Sequence, residues 1–127
     1  MDWKATYDQL KTVTTSDDEM NRKLFAAVEG WSYPLIGAAY SAFEARSREG
    51  SSVDYTGNTE AALAFARELY RRGTFSIDVD DKGCVMVRMG GKQDRSGVEV
   101  AIQSHASAPT IAIGILRCTL MTKFCAP

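Results

Sequence analysis

The side chains best suited to chemistry are scarce in this sequence: one histidine, His105, and three cysteines, Cys84, Cys118 and Cys125. A catalytic imidazole needs a partner within about 3 Å or across one water. Asp54 and Cys84 are the groups that folding would have to bring to His105, and such a pairing would make a small hydrolase-like enzyme. The alternative for a lone histidine is a turn residue hydrogen-bonded to backbone. One imidazole excludes any two-histidine centre and leaves zinc short of nitrogen ligands. The cysteines are odd in number and lack C-x-x-C spacing, so they suggest neither a disulfide framework nor a zinc knuckle. They read as free thiols of a reducing cytosol. Nothing near Cys118 in sequence would lower its pKa toward a nucleophile's range.

Three charged or flexible clusters offer less. Asp78 and Asp80 share a strand face and lead into Asp81-Lys82-Gly83, but the spacing is not that of a calcium loop and reads as a solvated face entering a turn. Arg67, Arg71 and Arg72 gather where a helix dipole favours cations. Gly90-Gly91 and Gly97 flank a polar stretch instead of joining a strand to a helix, so they are turn glycines and not a dinucleotide fingerprint. No catalytic residue, metal ligand or cofactor is assigned on these grounds.

What remains is the chemistry of helix starts, whose free amides suit anions. The elements that would supply them follow from periodicity. Trp3, Tyr7 and Leu10 fit a short helix that Thr12 to Thr15 interrupt, so residues 1–15 form an arm or a short helix. Ser16 with Glu19 three residues on makes an N-cap, and Met20, Leu24, Ala27, Val28 and Trp31 form the buried stripe of the helix that follows. Pro34 fits the first turn of the next helix, ending near Gly50. Tyr55-Thr56-Gly57-Asn58 is a turn into a helix carrying Leu63, Ala66, Leu69 and Tyr70.

The period then changes from helical to alternating. Phe75, Ile77 and Val79 define one strand, Val85, Val87 and Met89 a second, and Val98, Val100 and Ile102 a third, with Gly90 to Gly97 as the polar connection between the last two. Ser107-Ala108-Pro109 caps and opens a final helix with Ile113, Leu116, Leu120 and Phe124 as its buried stripe. The expected fold is α+β, a layered sandwich in which a three-stranded antiparallel meander packs against helices. The final helix and the helix bearing Leu63 are its covers. Residues 16–127 form a single domain of this kind.

Composition bounds the partners. Fifteen basic against sixteen acidic side chains leave a net charge of -1, with no general attraction for nucleic acid or anionic membranes. No apolar run reaches the roughly 20 residues of a membrane span, and the N-terminus lacks the pattern of a signal peptide. The chain is expected to be soluble and cytoplasmic.

The order of elements and three local motifs resemble the phage ABA sandwich domain family. The motifs are the helix ending Gly30-Trp31, the Tyr55-Thr56-Gly57-Asn58 turn into Ala61-Ala62-Leu63, and His105-Ala106-Ser107-Ala108-Pro109-Thr110 running into Ile113 and Leu116-Arg117-Cys118. The similarity spans roughly residues 17 to 124. This chain differs in carrying a helix at about 34 to 49 and Asn58 where the family commonly has Asp. The resemblance implies a phage or prophage origin, in a bacterial cytoplasm. With no catalytic set in the sequence and free amides at the helix starts, the expected role is a non-enzymatic accessory protein binding a small anionic, nucleotide-like ligand or a host protein. The alternatives are the hydrolase-like enzyme at His105 or a structural or interaction module with no ligand. The candidate ligand pocket lies between two capped helix starts, at Tyr55, Thr56, Asn58, His105, Ser107 and Thr110. Because the cysteines read as free thiols, adding reductant should leave the melting temperature unchanged; a large drop would reveal a disulfide.

Overall fold

The structure is a computed structural model that describes residues 2–125; Met1, Ala126 and Pro127, the ends of the two expected segments, lie outside the described residues. Among the described residues five helices and a three-stranded antiparallel sheet form an α+β fold. The helices are α1 (Trp3–Leu10), α2 (Asp18–Glu29), α3 (Ala38–Glu49), α4 (Thr59–Leu69) and α5 (Ile111–Cys125). The strands β1 (Gly73–Val79), β2 (Val85–Arg95) and β3 (Val98–Ala108) lie in the order β1-β2-β3.

Alternation along the strands divides the sheet into two faces. Val85, Val87 and Met89 of β2 and Ile102, Ser104, Ala106 and Ala108 of β3 are buried on one face. Their pairing partners share it, since Val87 stands opposite Ala106 and Met89 opposite Ser104. The other face, with Ser76, Arg88, Gln103 and His105, is open to solvent. Helix α5 covers the buried face across β2 and β3, while α1 and α4 pack on α5 from its other sides. Apolar on every side, α5 is buried at Ile113, Ile115, Leu116 and Leu120 alike.

Several boundaries differ from expectation. The cap of α2 is Asp17, whose carboxylate accepts from the Met20 amide at 2.8 Å; Ser16 turns instead toward Asp54. Helix α2 ends at Gly30, which adopts a left-handed φ of 76°, so Trp31 falls beyond the helix and is 44% exposed instead of completing the buried stripe. Pro34 precedes α3 without opening it, and the helix begins only at Ala38. The stretch Gly90 to Gly97 is not a loop. Ser96 and Gly97, with φ of 50° and 81°, form a two-residue turn of the kind that matches strand twist, and β2 and β3 extend right up to it. Helix α4 covers α5 and not the sheet.

Small residues set the distance between α5 and the sheet. A Cβ at Gly114 would stand 2.4 Å from Val87 Cγ2 and 3.4 Å from the Ala108 side chain. Polar groups then pin the helix: the Cys118 thiol donates to the Val87 carbonyl (3.2 Å) and the Ser104 hydroxyl to the Cys118 carbonyl (3.1 Å). Gly114→Ala should therefore lower stability by about 1–3 kcal/mol through overpacking, although alanine is the better helix former by roughly 1 kcal/mol. Denaturant unfolding checks the sign, and a stabilised variant would mean that α5 has room to move.

Candidate functional site

The six residues expected to form one pocket do not all come together. Tyr55 points into the core, its ring 5.5 Å from that of Phe65. Burial pushes its phenol up to about 12. Asn58 caps α4, accepting from the Ala61 amide at 2.9 Å. Thr56 is buried and fully engaged: its amide (3.0 Å) and hydroxyl (2.9 Å) donate to the Asn21 side-chain oxygen, and its hydroxyl oxygen accepts from the Asp17 amide (2.8 Å).

Asp54 extends this network. One carboxylate oxygen accepts from the Ser16 hydroxyl (2.7 Å), the Asn21 amide group (2.9 Å) and the Gly57 amide (3.2 Å). The loop before α4 is thereby tied to the start of α2. Gly57 is required there, because a Cβ would lie 2.4 Å from the other Asp54 oxygen and 2.8 Å from Ser16.

Thr110, not Ser107, caps α5, accepting from the Ile113 amide at 3.2 Å. Beside it a hollow of about 270 Å³ is lined by Ser16, Asp54, Thr56, Gly57 and Thr110, so Thr56 and Thr110 do come together. An anion entering this hollow would meet the Asp54 carboxylate, which repels it.

His105 and Ser107 are elsewhere. The alternation of β3 continues through Ala108, which turns both side chains to the open face of the sheet, away from the helices. There His105 stands opposite Arg88, which stands opposite Ser76, and these line a shallow hollow of about 320 Å³ with Thr74 and Gln103. Ser107 offers its carbonyl to Arg117 at 2.7 Å. Asp54 belongs to the helical layer and Cys84 precedes β2, so neither shares the row of His105. Among the described residues no group of three His, Cys, Asp or Glu side chains is placed to hold a metal ion.

A further hollow, of about 690 Å³, has no counterpart in the expected helix stripes. It lies between α1 and the end of α2 and is lined by Trp3, Gln9, Lys23, Trp31 and Tyr33 among others. Both tryptophans of the chain are in this wall. Tyr33 is 40% exposed and lies under the Lys23 ammonium, 5.3 Å from its ring centroid, while Lys23 also donates to Gln9. Partial burial, with Glu19 nearby, raises the Tyr33 phenol above its usual value. The signal was Gly30: a helix that stops there releases Trp31-Ser32-Tyr33-Pro34 from the helical count.

The fold and these surfaces define an α+β protein with one open sheet face and an aromatic groove on its helical side. No family model, curated protein or solved structure matches the chain. No helix among the described residues is long and apolar enough to cross a membrane.

Burial pushes the Cys118 thiol up to about 11 from an ordinary 9.0, and Tyr55 up to about 12 from 10.0. Both stay protonated in the folded protein at pH values where the unfolded chain releases its protons, so the folded state binds more protons. The contribution of these two groups to stability is therefore complete below pH 9 and is lost as pH rises, through Cys118 toward 11 and through Tyr55 between 10 and 12. Denaturant midpoints at pH 8 and pH 10.5 in wild type and Cys118→Ala check this. An equal loss in both would remove Cys118 as a cause.

Proposed function

We propose that this chain is a non-enzymatic accessory protein of a phage or prophage, acting in the bacterial cytoplasm, that holds a segment of a host protein in the groove lined by Trp3, Trp31 and Tyr33. The observation that carries the reading is that both tryptophans and an exposed tyrosine gather at one open groove. Burying aromatic side chains of this size normally stabilises a fold, so the exposure of Trp31 and Tyr33 beside the half-buried Trp3 points to a partner that covers them. Tryptophan and tyrosine are also the residues on which protein interfaces most often depend. The phage origin rests on the motif resemblance alone. The small-anion alternative has weaker support, because Asp54 borders the hollow at Thr56 and Thr110 while His105 and Ser107 face the other way.

The test uses the groove's own fluorophores. A photo-crosslinking residue at Ser32 should capture a discrete host protein, and that protein, once purified, should change the tryptophan emission on titration. Trp31→Ala and Tyr33→Ala, both at solvent-exposed positions, should keep the fold by circular dichroism and weaken binding about tenfold or more, in line with an interface hot spot of roughly 2 kcal/mol. Unchanged affinity in both variants would overturn the assignment of the groove. A nucleotide panel that raises the melting temperature while no protein is captured would favour the anionic ligand instead.

A further inference from the structure

The outer edge of β1 is chemically unfinished. The Asp80 amide donates to the Cys84 carbonyl across the hairpin (3.0 Å), which sets the phase of the β1–β2 ladder. Residues 80, 78, 76 and 74 therefore turn their backbone groups toward β2, and 79, 77, 75 and 73 turn theirs outward. The Gly73 amide is already committed to the Tyr70 carbonyl (3.0 Å). That leaves Phe75, Ile77 and Val79 to present a free row of amides and carbonyls.

These residues also carry the apolar side chains. Ile77 is 40% and Val79 59% exposed, on the same sheet face as Val85 and Val87, because α5 reaches only β2 and β3. Natural edge strands are usually blunted by lysine, proline or a bulge. The strand Gly-Thr-Phe-Ser-Ile-Asp-Val has none of these and pairs with β2 in unbroken register.

We infer that β1 pairs with β1 of a second copy of this chain, antiparallel, about a two-fold axis at Ile77. In that register Ile77 pairs with the partner's Ile77, and Phe75 with the partner's Val79. The amides and carbonyls of Phe75, Ile77 and Val79 are all satisfied, and the exposed apolar row becomes continuous across the axis. On the open face Asp78 falls opposite the partner's Ser76, so no like charges are opposed, and Arg88 keeps the ion pair with Asp78 of its own chain (3.8 Å). A two-fold at Asp78 would oppose two carboxylates instead. The other edge is less suitable: near the end of β3 Arg117 spans the Ser107 and Lys11 carbonyls (2.7 and 3.2 Å). The aromatic groove lies on the helical side of the molecule, between α1 and α2, so this surface is independent of the function proposed above.

One strand pair buries less than a standard interface, so the dimer is weak and concentration-dependent. Sedimentation equilibrium from the low micromolar to the millimolar range should show reversible dimerisation. Ile77→Lys, which sets two ammonium groups against each other on the axis, should raise the dissociation constant about tenfold or more while circular dichroism stays native. Val98→Lys, at an exposed position on the far hairpin, should dimerise like wild type. With Cys84 and Cys125 replaced by serine, a mixture of Ser76→Cys and Asp78→Cys chains should form a disulfide-linked dimer on mild oxidation, and Gln103→Cys should not. A monomer at every concentration, a dimer indifferent to Ile77→Lys, or cross-linking no faster in the mixture than in Gln103→Cys would overturn the proposal.

Discussion

The contact between α5 and the sheet is the constraint on which the remaining structure depends. Gly114 rests on Val87 with no space for a methyl group, and the facing residues of β3 are small: Ser104, Ala106 and Ala108. Close packing of this kind maximises dispersion contact per unit area and tolerates few changes in volume. Because α5 is sunk so far toward the sheet, its opposite side needs its own cover. α1 and α4 provide that cover, and Thr6, Leu10, Ala62 and Phe65 are buried as a result.

Polar groups complete what the apolar contacts begin. Ser104, Cys118 and Thr122 share hydrogen bonds inside the helix–sheet interface, where an unsatisfied hydroxyl would be costly. A second network, through Asn21, Asp54 and Thr56, holds the start of α2 to the loop before α4. Its members are mutually satisfied, which explains why the residues resembling a ligand site behave as fasteners. A buried polar group whose donors and acceptors are already used has little left for a guest.

The surfaces left over are consequently where the molecule meets others. Helix α5 lies over β2 and β3, so β1 keeps an apolar row at the rim. Helix α2 stops at Gly30, so the segment that follows carries Trp31 and Tyr33 out beside α1. Neither surface is polar enough to be explained by solubility.

Periodicity and capping chemistry were enough to foresee much of the fold. The change from helical to alternating spacing at Phe75 marked the sheet, Asn58 marked the start of α4, and Gly30 marked the end of α2, because caps and turns are decided by residues close in sequence. Three lone cysteines without spacing signals were legible as free thiols for the same local reason. Ser107, two residues before Pro109, suits a helix cap equally well, and only pairing with Met86 commits it to a strand. Trp31 stands at helical spacing, where a large apolar residue is usually buried, and its exposure follows from where α1 and α2 leave a gap. Local physics thus determined which elements form and roughly where they end. Which faces are covered, which polar groups find partners, and which aromatics remain in water were decided only when distant segments packed, because burial belongs to the whole assembly and not to any one stretch of chain.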